Sequence, residues 1–236
     1  MIEFEHVYKR YSGSRNAWVL QDIHLSIGVG QMVFLLGPSG AGKSTLLKLV
    51  TLEVRPSQGR VKVKKFDSAS LKRRQVPELR RRIGVVYQDF RLIRDKTVQE
   101  NVAYILRMTG VLDPRLIAAE TRRVLSTVGL YPKRHEFPEN LSGGEQQRTA
   151  IARALVHQPS ILLADEPTGN LDPGMGAEIM ALLRRVNLAG ATVVVATHDQ
   201  DLAERFGDRI ILLEGGMVRR DQEIRTRPAM SILPER

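Results

Sequence analysis

Short apolar runs divide the chain into strands, and the spacing of polar residues within them separates two kinds of sheet. Ile161-Leu162-Leu163-Ala164, Val193-Val194-Val195-Ala196 and Ile210-Ile211-Leu212-Leu213 are unbroken runs, parted by helical spacing around residues 174–188 and 199–206. Such runs read as strands buried on both faces, and their alternation with helices specifies a parallel sheet. Val33-Phe34-Leu35-Leu36 and Ile83-Gly84-Val85-Val86-Tyr87 add two more, the second running into Gln88. The N-terminal part has a period of two instead. Ile2, Phe4 and His6 alternate with polar residues, as do Ile23, Leu25 and Ile27 ahead of the turn Gly28-Val29-Gly30, and Arg60 to Lys64 follows suit. These predict half-exposed strands.

Residues 69–82 are polar and basic and predict a helix interrupted near Pro77. From Asp89 to about Leu155 the spacing turns helical, with Thr97 to Met108 and Pro114 to Val128 closed by Gly110 and Gly129. Glu214-Gly215-Gly216-Met217 turns a final hairpin, and residues 219–236, with Pro228 and Pro234, predict a weakly structured tail.

A length of 236 residues suits one sizeable α/β domain or a core with a subdomain attached. With 42% hydrophobic and 26% charged residues, the composition is that of a soluble globular protein. No apolar run nears the ~18 residues of a membrane span. The N-terminus Met1-Ile2-Glu3-Phe4-Glu5 is no signal peptide, so the expectation is a cytoplasmic chain unless a partner holds it elsewhere. The lack of cysteine excludes disulfides and thiolate metal sites. The net charge of +10 changes the picture more. Lys62/Lys64/Lys65, Lys72/Arg73/Arg74, Arg80/Arg81/Arg82 and the tail from Arg219 are basic clusters. Singly each reads as a solvated face; together they suit an anionic membrane surface or nucleic acid.

The chemistry is concentrated after the Val33–Leu36 run. Gly37-Pro38-Ser39-Gly40-Ala41-Gly42-Lys43-Ser44-Thr45, followed by Leu46, Leu47, Leu49 and Val50 at helical spacing, is strand, glycine-rich loop and helix. Gly37-x-x-x-x-Gly42-Lys43-Ser44 fits the phosphate-binding P-loop. Its backbone N–H groups curl around a polyphosphate, and the new helix adds free N–H groups and a positive dipole end. Lys43 can reach the β- and γ-phosphates and the Ser44 hydroxyl can ligate Mg²⁺. Asp165 and Glu166 end a buried strand, where such sheets bind ligands. Asp165 suits the Mg²⁺ shell and Glu166 suits polarising an attacking water. Ser142, with Glu145 three residues on, makes a capping box at the start of a helix that runs until Pro159. The glycines Gly143 and Gly144 leave that N-terminus bare, and a bare N-terminus attracts anions.

In this order, Gly37 to Ser44, Gln88, Leu141 to Gln146, Ile161 to Glu166, Asn170-Leu171-Asp172 and His198 resemble the motifs of ABC-type ATPase domains: Walker A, Q-loop, signature, Walker B, D-loop and switch histidine. The resemblance spans residues 1 to about 218. It implies an α/β P-loop NTPase, with a RecA-like, mainly parallel core, an N-terminal antiparallel β-subdomain and an inserted α-helical subdomain. Core and β-subdomain would take residues 1–88 and 156–218, the helical subdomain 89–155, and a basic tail 219–236. It also implies ATP and Mg²⁺ as cofactors and a head-to-tail homodimer in the ATP state. Ser142 and Gly144 of one subunit, with Glu145 beside them, would contact the γ-phosphate held by Lys43 of the other. Tyr11 would stack on adenine, unless it is a half-buried loop tyrosine. Gln88 would approach Mg²⁺ alongside Ser44 and Asp165 and report nucleotide state to the helical subdomain. His198 would hold the γ-phosphate and the catalytic water next to Glu166. Asp172 would link the two sites while capping its own helix, with Pro173 at the first helical position.

Tyr87-Gln88-Asp89-Phe90-Arg91-Leu92-Ile93 and Thr97-Val98-Gln99-Glu100-Asn101-Val102-Ala103 are similar to the cell-division branch of that family, the FtsE ATPases. That resemblance implies an FtsX-like integral membrane partner, an indirect link to cell-wall hydrolases, and a place on the cytoplasmic face of the bacterial inner membrane. No nucleic acid is expected, and contact with anionic lipid suits the basic tail. Arg94-Asp95-Lys96 and Trp18 depart from the branch in regions that could tune partner contact. An exporter or lipoprotein-release ATPase is the competing assignment, which Gln88-Asp89-Phe90 disfavours. A soluble DNA-associated ABC ATPase would carry long heptad insertions or paired ATPase domains, and this chain has neither.

Overall fold

The computed structural model describes residues 1–11 and 17–224. The chain begins with strands β1 (Ile2–Lys9), β2 (Leu20–Ile27) and β3 (Met32–Leu36), then helix α1 (Lys43–Val50). Next come β4 (Gln58–Val63), β5 (Phe66–Asp67), the short α2 (Val76–Arg80) and β6 (Ile83–Val86). Three helices follow, α3 (Val98–Met108), α4 (Pro114–Thr127) and α5 (Gly143–Leu155). The chain returns through β7 (Ile161–Asp165), α6 (Pro173–Leu188), β8 (Thr192–Thr197), α7 (Gln200–Phe206), β9 (Arg209–Glu214) and β10 (Met217–Glu223).

Two sheets result. The first, in the order β2-β1-β4-β5, is antiparallel. The second, β10-β9-β3-β8-β7-β6, is parallel except for β10 on its edge. Strand β3 shows why the central sheet is covered on both faces. Met32, Phe34 and Leu36 face the apolar layer shared with α3 to α6, while Val33 and Leu35 face α1 and the antiparallel sheet. Parallel pairing brings the C-terminal ends of β3, β6, β7 and β8 to one edge: Leu36 stands beside Thr197, Asp165 beside Ala196 and Val86 beside Ala164. Ligands bind at that edge of such sheets.

Local structure departs from the sequence pattern in three places. In β1 the burial goes Ile2, Phe4, Val7, because His6 takes φ +47° and shifts the register; His6 points out and bonds Asp22, itself at φ +47° in β2, at 2.8 Å. A bulge inserts one residue, so the period of two breaks there. Pro77 does not interrupt a helix but starts one: a 3₁₀ turn at Arg73–Gln75 leads into α2 with the proline in its first turn, where a missing N–H costs nothing. Finally, Arg219 to Glu223 belong to β10 rather than to a tail. They pair with β9, and Arg209 clamps Asp221 through two contacts at 2.6 and 2.5 Å. Both faces of that hairpin strand are polar or partly exposed, so no apolar period marks it. Ser12, Gly13 and Ser14 after Tyr11, and the tail with Pro228 and Pro234, lie outside the described residues.

Helices α3 and α4 form where their spacing predicts. Thr97 caps α3 in a box with Glu100, and Asp113 caps α4 ahead of Pro114.

Candidate active site

The loop after β3 turns on glycine. Gly37 lies at φ +153° and a Cβ there would stand 2.2 Å from the Leu213 carbonyl oxygen; Gly42, at φ +102°, would meet Leu20 Cδ2 at 2.5 Å. At Gly37 no side chain fits without moving the Leu213 backbone, and at Gly42 the left-handed φ strains any other residue. Pro38, Ser39 and Gly40 are exposed at the tip, while Ala41, Lys43 and Thr45 are buried. Lys43 Nζ donates to the carbonyls of Gly37 at 2.6 Å and Pro38 at 3.2 Å. Helix α1 has no side-chain cap, so its first N–H groups have no side-chain acceptor. Tyr11, 37% exposed, brings its hydroxyl 3.4 Å from Thr45 Oγ1 and so lines the same helix.

Two carboxylates face this loop from the end of β7. Asp165 accepts a hydrogen bond from Ser44 Oγ at 2.9 Å. Glu166 adopts φ +45°, uncommon for a side chain of its kind, and its N–H donates to Ala196 at 2.8 Å. That conformation aims its carboxylate between two partners. Oε1 lies 3.4 Å from Lys43 Nζ and Oε2 lies 3.1 Å from His198 Nδ1. His198, carried out of β8, is otherwise exposed. Gln88 follows β6, accepts at its carbonyl from Asn170 Nδ2 at 3.0 Å, and lays its side chain against Gly169.

Ser44 Oγ and Asp165 Oδ1 offer two hard oxygens side by side. Among the described residues no cluster of three or more His, Cys, Asp or Glu could cage a metal. A hydroxyl and one carboxylate fit a Mg²⁺ that takes its remaining ligands from phosphate and water. Burial raises the pKa of Asp165, and its bond from Ser44 partly opposes that. A raised folded-state pKa means that the charged carboxylate costs stability at neutral pH, a cost that shrinks as pH falls through the raised value and vanishes below the unfolded one. Asp165→Asn is therefore expected to raise the nucleotide-free Tm at pH 7, by about 2–4 °C for each kcal/mol relieved in a chain of this size. In melts taken near pH 3 that gain disappears, and at neutral pH the variant loses the Mg²⁺ dependence of nucleotide binding.

Helix α5 begins with the predicted cap. Ser142 Oγ accepts from the Glu145 N–H at 3.4 Å and Glu145 Oε2 accepts from the Ser142 N–H at 3.0 Å. Its other oxygen, Oε1, is held by Lys133 at 2.6 Å, and that ion pair with the cap holds the Glu145 pKa down. The N-terminus is less bare than the glycines suggest. A Cβ on Gly144 would fall 2.0 Å from Met175 Sδ, so this glycine makes room for α6 to pack against α5. Ser142 stays exposed beside it. Asp172 caps α6 by accepting from Met175 N–H at 3.0 Å.

Three residues in this region carry no motif label. Gln147, fully buried on α5, donates to the Pro167 carbonyl at 2.7 Å, which fixes α5 against the turn after Glu166. Lys133 neutralises Glu145, and Arg153 reaches the turn after Gln88. Each acts on a backbone carbonyl or across a loop, which a spacing pattern does not record.

The family model for the ABC transporter matches residues 20–169. The cell division ATP-binding protein FtsE of Mycobacterium tuberculosis is 48% identical over 94% of this chain and 96% of its own length. The FtsE proteins of Bacillus subtilis, at 44%, and Escherichia coli, at 48%, match over 94% and 92% of this chain and 96% of their own lengths. Among solved structures, an ATP-binding cassette caught as a post-hydrolysis dimer with ADP and Pi superposes with a TM-score of 0.87 at 37% identity, covering 96% of this chain and all of that one. The chain belongs to the ABC transporter family, as an ATP-hydrolysing, Mg²⁺-dependent member related to the FtsE cell-division proteins.

Proposed function

We propose that this chain closes as a head-to-tail dimer on ATP, and that closure drives an FtsX-like integral membrane partner during cell division. Peripheral attachment through that partner puts it on the cytoplasmic face of the inner membrane, where the movement activates cell-wall hydrolases. The single observation that carries the catalytic part is Glu166, held between Lys43 at 3.4 Å and His198 at 3.1 Å. A carboxylate so placed takes the proton of the attacking water as that water displaces ADP from the γ-phosphorus. His198 orients the water and the γ-phosphate, and Lys43 with the N–H groups of Gly37 to Thr45 holds the β- and γ-oxygens. Tyr11 stacks on adenine. Ser44, Asp165 and Gln88 hold Mg²⁺, which neutralises phosphate charge when bound. Ser142, Gly144 and Glu145 come from the other copy, and Asp172 lies between the two sites.

An exposed apolar face on the helical region supports the membrane partner. Tyr104 and Met108 stand one turn apart on α3, and Leu112 and Leu116 continue across the turn to α4, with exposures of 37, 64, 87 and 48%. Exposed apolar side chains gathered in one short stretch suit contact with an apolar partner surface. Phe90, Leu92 and Ile93, half-buried after Gln88, lie in the stretch between the catalytic edge and these helices. Co-purification from membranes tests the reading. Phe90→Ala with Leu92→Ala, or Met108→Ser with Leu112→Ser, is expected to leave ATP binding within about twofold of wild type while recovery of the membrane partner falls by about tenfold, as loss of a few anchor contacts does. Full recovery by both double variants places the coupling surface elsewhere. Because β10 runs to Glu223, a truncation that tests the basic tail against anionic lipid starts at residue 225.

A further inference from the structure

The turn after Gln88 holds two successive non-glycine residues in the left-handed region, Phe90 at φ +55° and Arg91 at φ +50°. Either is uncommon alone, and a pair persists only where something outside the turn enforces it. Within the turn, the Arg91 guanidinium pairs with Asp89 at 3.1 Å and lies 3.8 Å from the Tyr87 ring; the group that holds the turn from outside is Arg153 on α5. Its guanidinium donates to the carbonyl oxygen of Phe90 at 2.7 Å and to that of Arg91. The left-handed conformation is what presents both carbonyls to one fork of N–H groups. Among the described residues no carboxylate lies within ion-pair distance of Arg153, and Asp89 acts on it only from further away; burial lowers its pKa, and the two carbonyls are the acceptors this desolvated cation has. On the other side of the same turn, Asn170 Nδ2 holds the carbonyl of Gln88. The turn is thus tied at one end to the strand-β7 loop and at the other to α5, the helix whose first residue follows Ser142.

We infer that Arg153 is a positioning residue that fixes Gln88 and the turn after it to the signature helix, so that the nucleotide-facing glutamine and the Ser142 end of α5 move as one body. The inference rests on the ATP-closed dimer proposed above and names the joint inside it. An unpaired turn would relax out of the left-handed region and leave Gln88 held by Asn170 alone, without its tie to α5. Lysine at 153 keeps the charge but not the two-pronged donor geometry.

The test uses the full-length chain with Arg153→Gln, Arg153→Lys, and Arg153→Gln combined with Arg91→Gly, whose glycine adopts the left-handed conformation without the clamp. Expected for both single variants are an unchanged far-UV spectrum, ATP binding within about twofold of wild type, and a kcat lower by about 10- to 100-fold at nearly constant KM, as small misplacements of catalytic groups produce. Amide hydrogen exchange should rise in residues 88–93 and stay unchanged in α1. Arg91→Gly also removes the contacts of that side chain to Asp89 and Tyr87, so it serves as its own baseline, on which adding Arg153→Gln should cost at most about half, on a logarithmic scale, of what it costs wild type. A kcat within twofold of wild type for Arg153→Gln overturns the inference. So does a folded Arg153→Gln whose cost on the Arg91→Gly baseline stays above half, on that scale, of its cost in wild type, or a full rescue by Arg153→Lys. Glu166→Gln is assayed for Mg²⁺-ATP-driven dimerisation alongside. If it does not dimerise with ATP bound, it is the closed-dimer reading that fails; if it does, these outcomes bear on Arg153 alone.

Discussion

Replacing Glu166 by glutamine is expected to stop turnover while leaving ATP bound. Glutamine keeps the size of the side chain and can still meet Lys43 and His198, so the loop and the histidine stay in place. What it loses is the capacity to accept a proton. General-base removal costs about 10²- to 10⁴-fold in rate, and here no second carboxylate can substitute, because Asp165 is engaged by Ser44 at 2.9 Å. Steady-state phosphate release should fall by about that factor with the ATP dissociation constant within about threefold of wild type. The Glu166 φ of +45° is carried by the backbone bond to Ala196 at 2.8 Å and not by the carboxylate, so the variant keeps the turn. Normal turnover in Glu166→Gln would remove Glu166 from the role of base.

Lys43→Ala should act one step earlier. Lys43 is 6% exposed, and its ammonium bridges the Gly37 and Pro38 carbonyls to Glu166, so its removal takes away phosphate contact and loop support together. A hydrogen bond to a charged group contributes about 1.5–3 kcal/mol. Since 1.4 kcal/mol is tenfold in affinity, ATP binding should weaken by about 10- to 100-fold. It also leaves Glu166 facing only His198, so the loop loses its tie to the end of β7. Isothermal titration measures the affinity directly; an unchanged dissociation constant would show that the backbone cradle alone holds the phosphates.

The site was legible in the sequence where its chemistry depends on side-chain type at fixed spacing. Gly37, Gly42 and Lys43 are required within one loop, and Asp165 and Glu166 must end an apolar run, so composition betrays them. The parallel core was legible because strands buried on both faces have almost no polar residues. Four features were not. The bulge at His6 and Asp22 depends on two paired backbone angles, and either residue suits an ordinary exposed strand position. The Arg153 clamp acts on carbonyl oxygens 62 and 63 residues away, and every residue has a carbonyl. The role of Gly144 as room for Met175 was hidden behind its motif, since the same glycine answers both demands. β10 extends past Arg219 on a cross-strand ion pair rather than on an apolar face.

The composite site, in which Ser142 of one copy completes the P-loop of another, is tested most directly by the mass of Glu166→Gln in solution. Light scattering should give a monomer without nucleotide and with ADP, and twice that mass with Mg²⁺-ATP. Ser142→Arg in the same background should abolish the doubling while ATP stays bound. A chain that remains monomeric with ATP demonstrably bound, or one that doubles as readily with Ser142→Arg, contradicts the account.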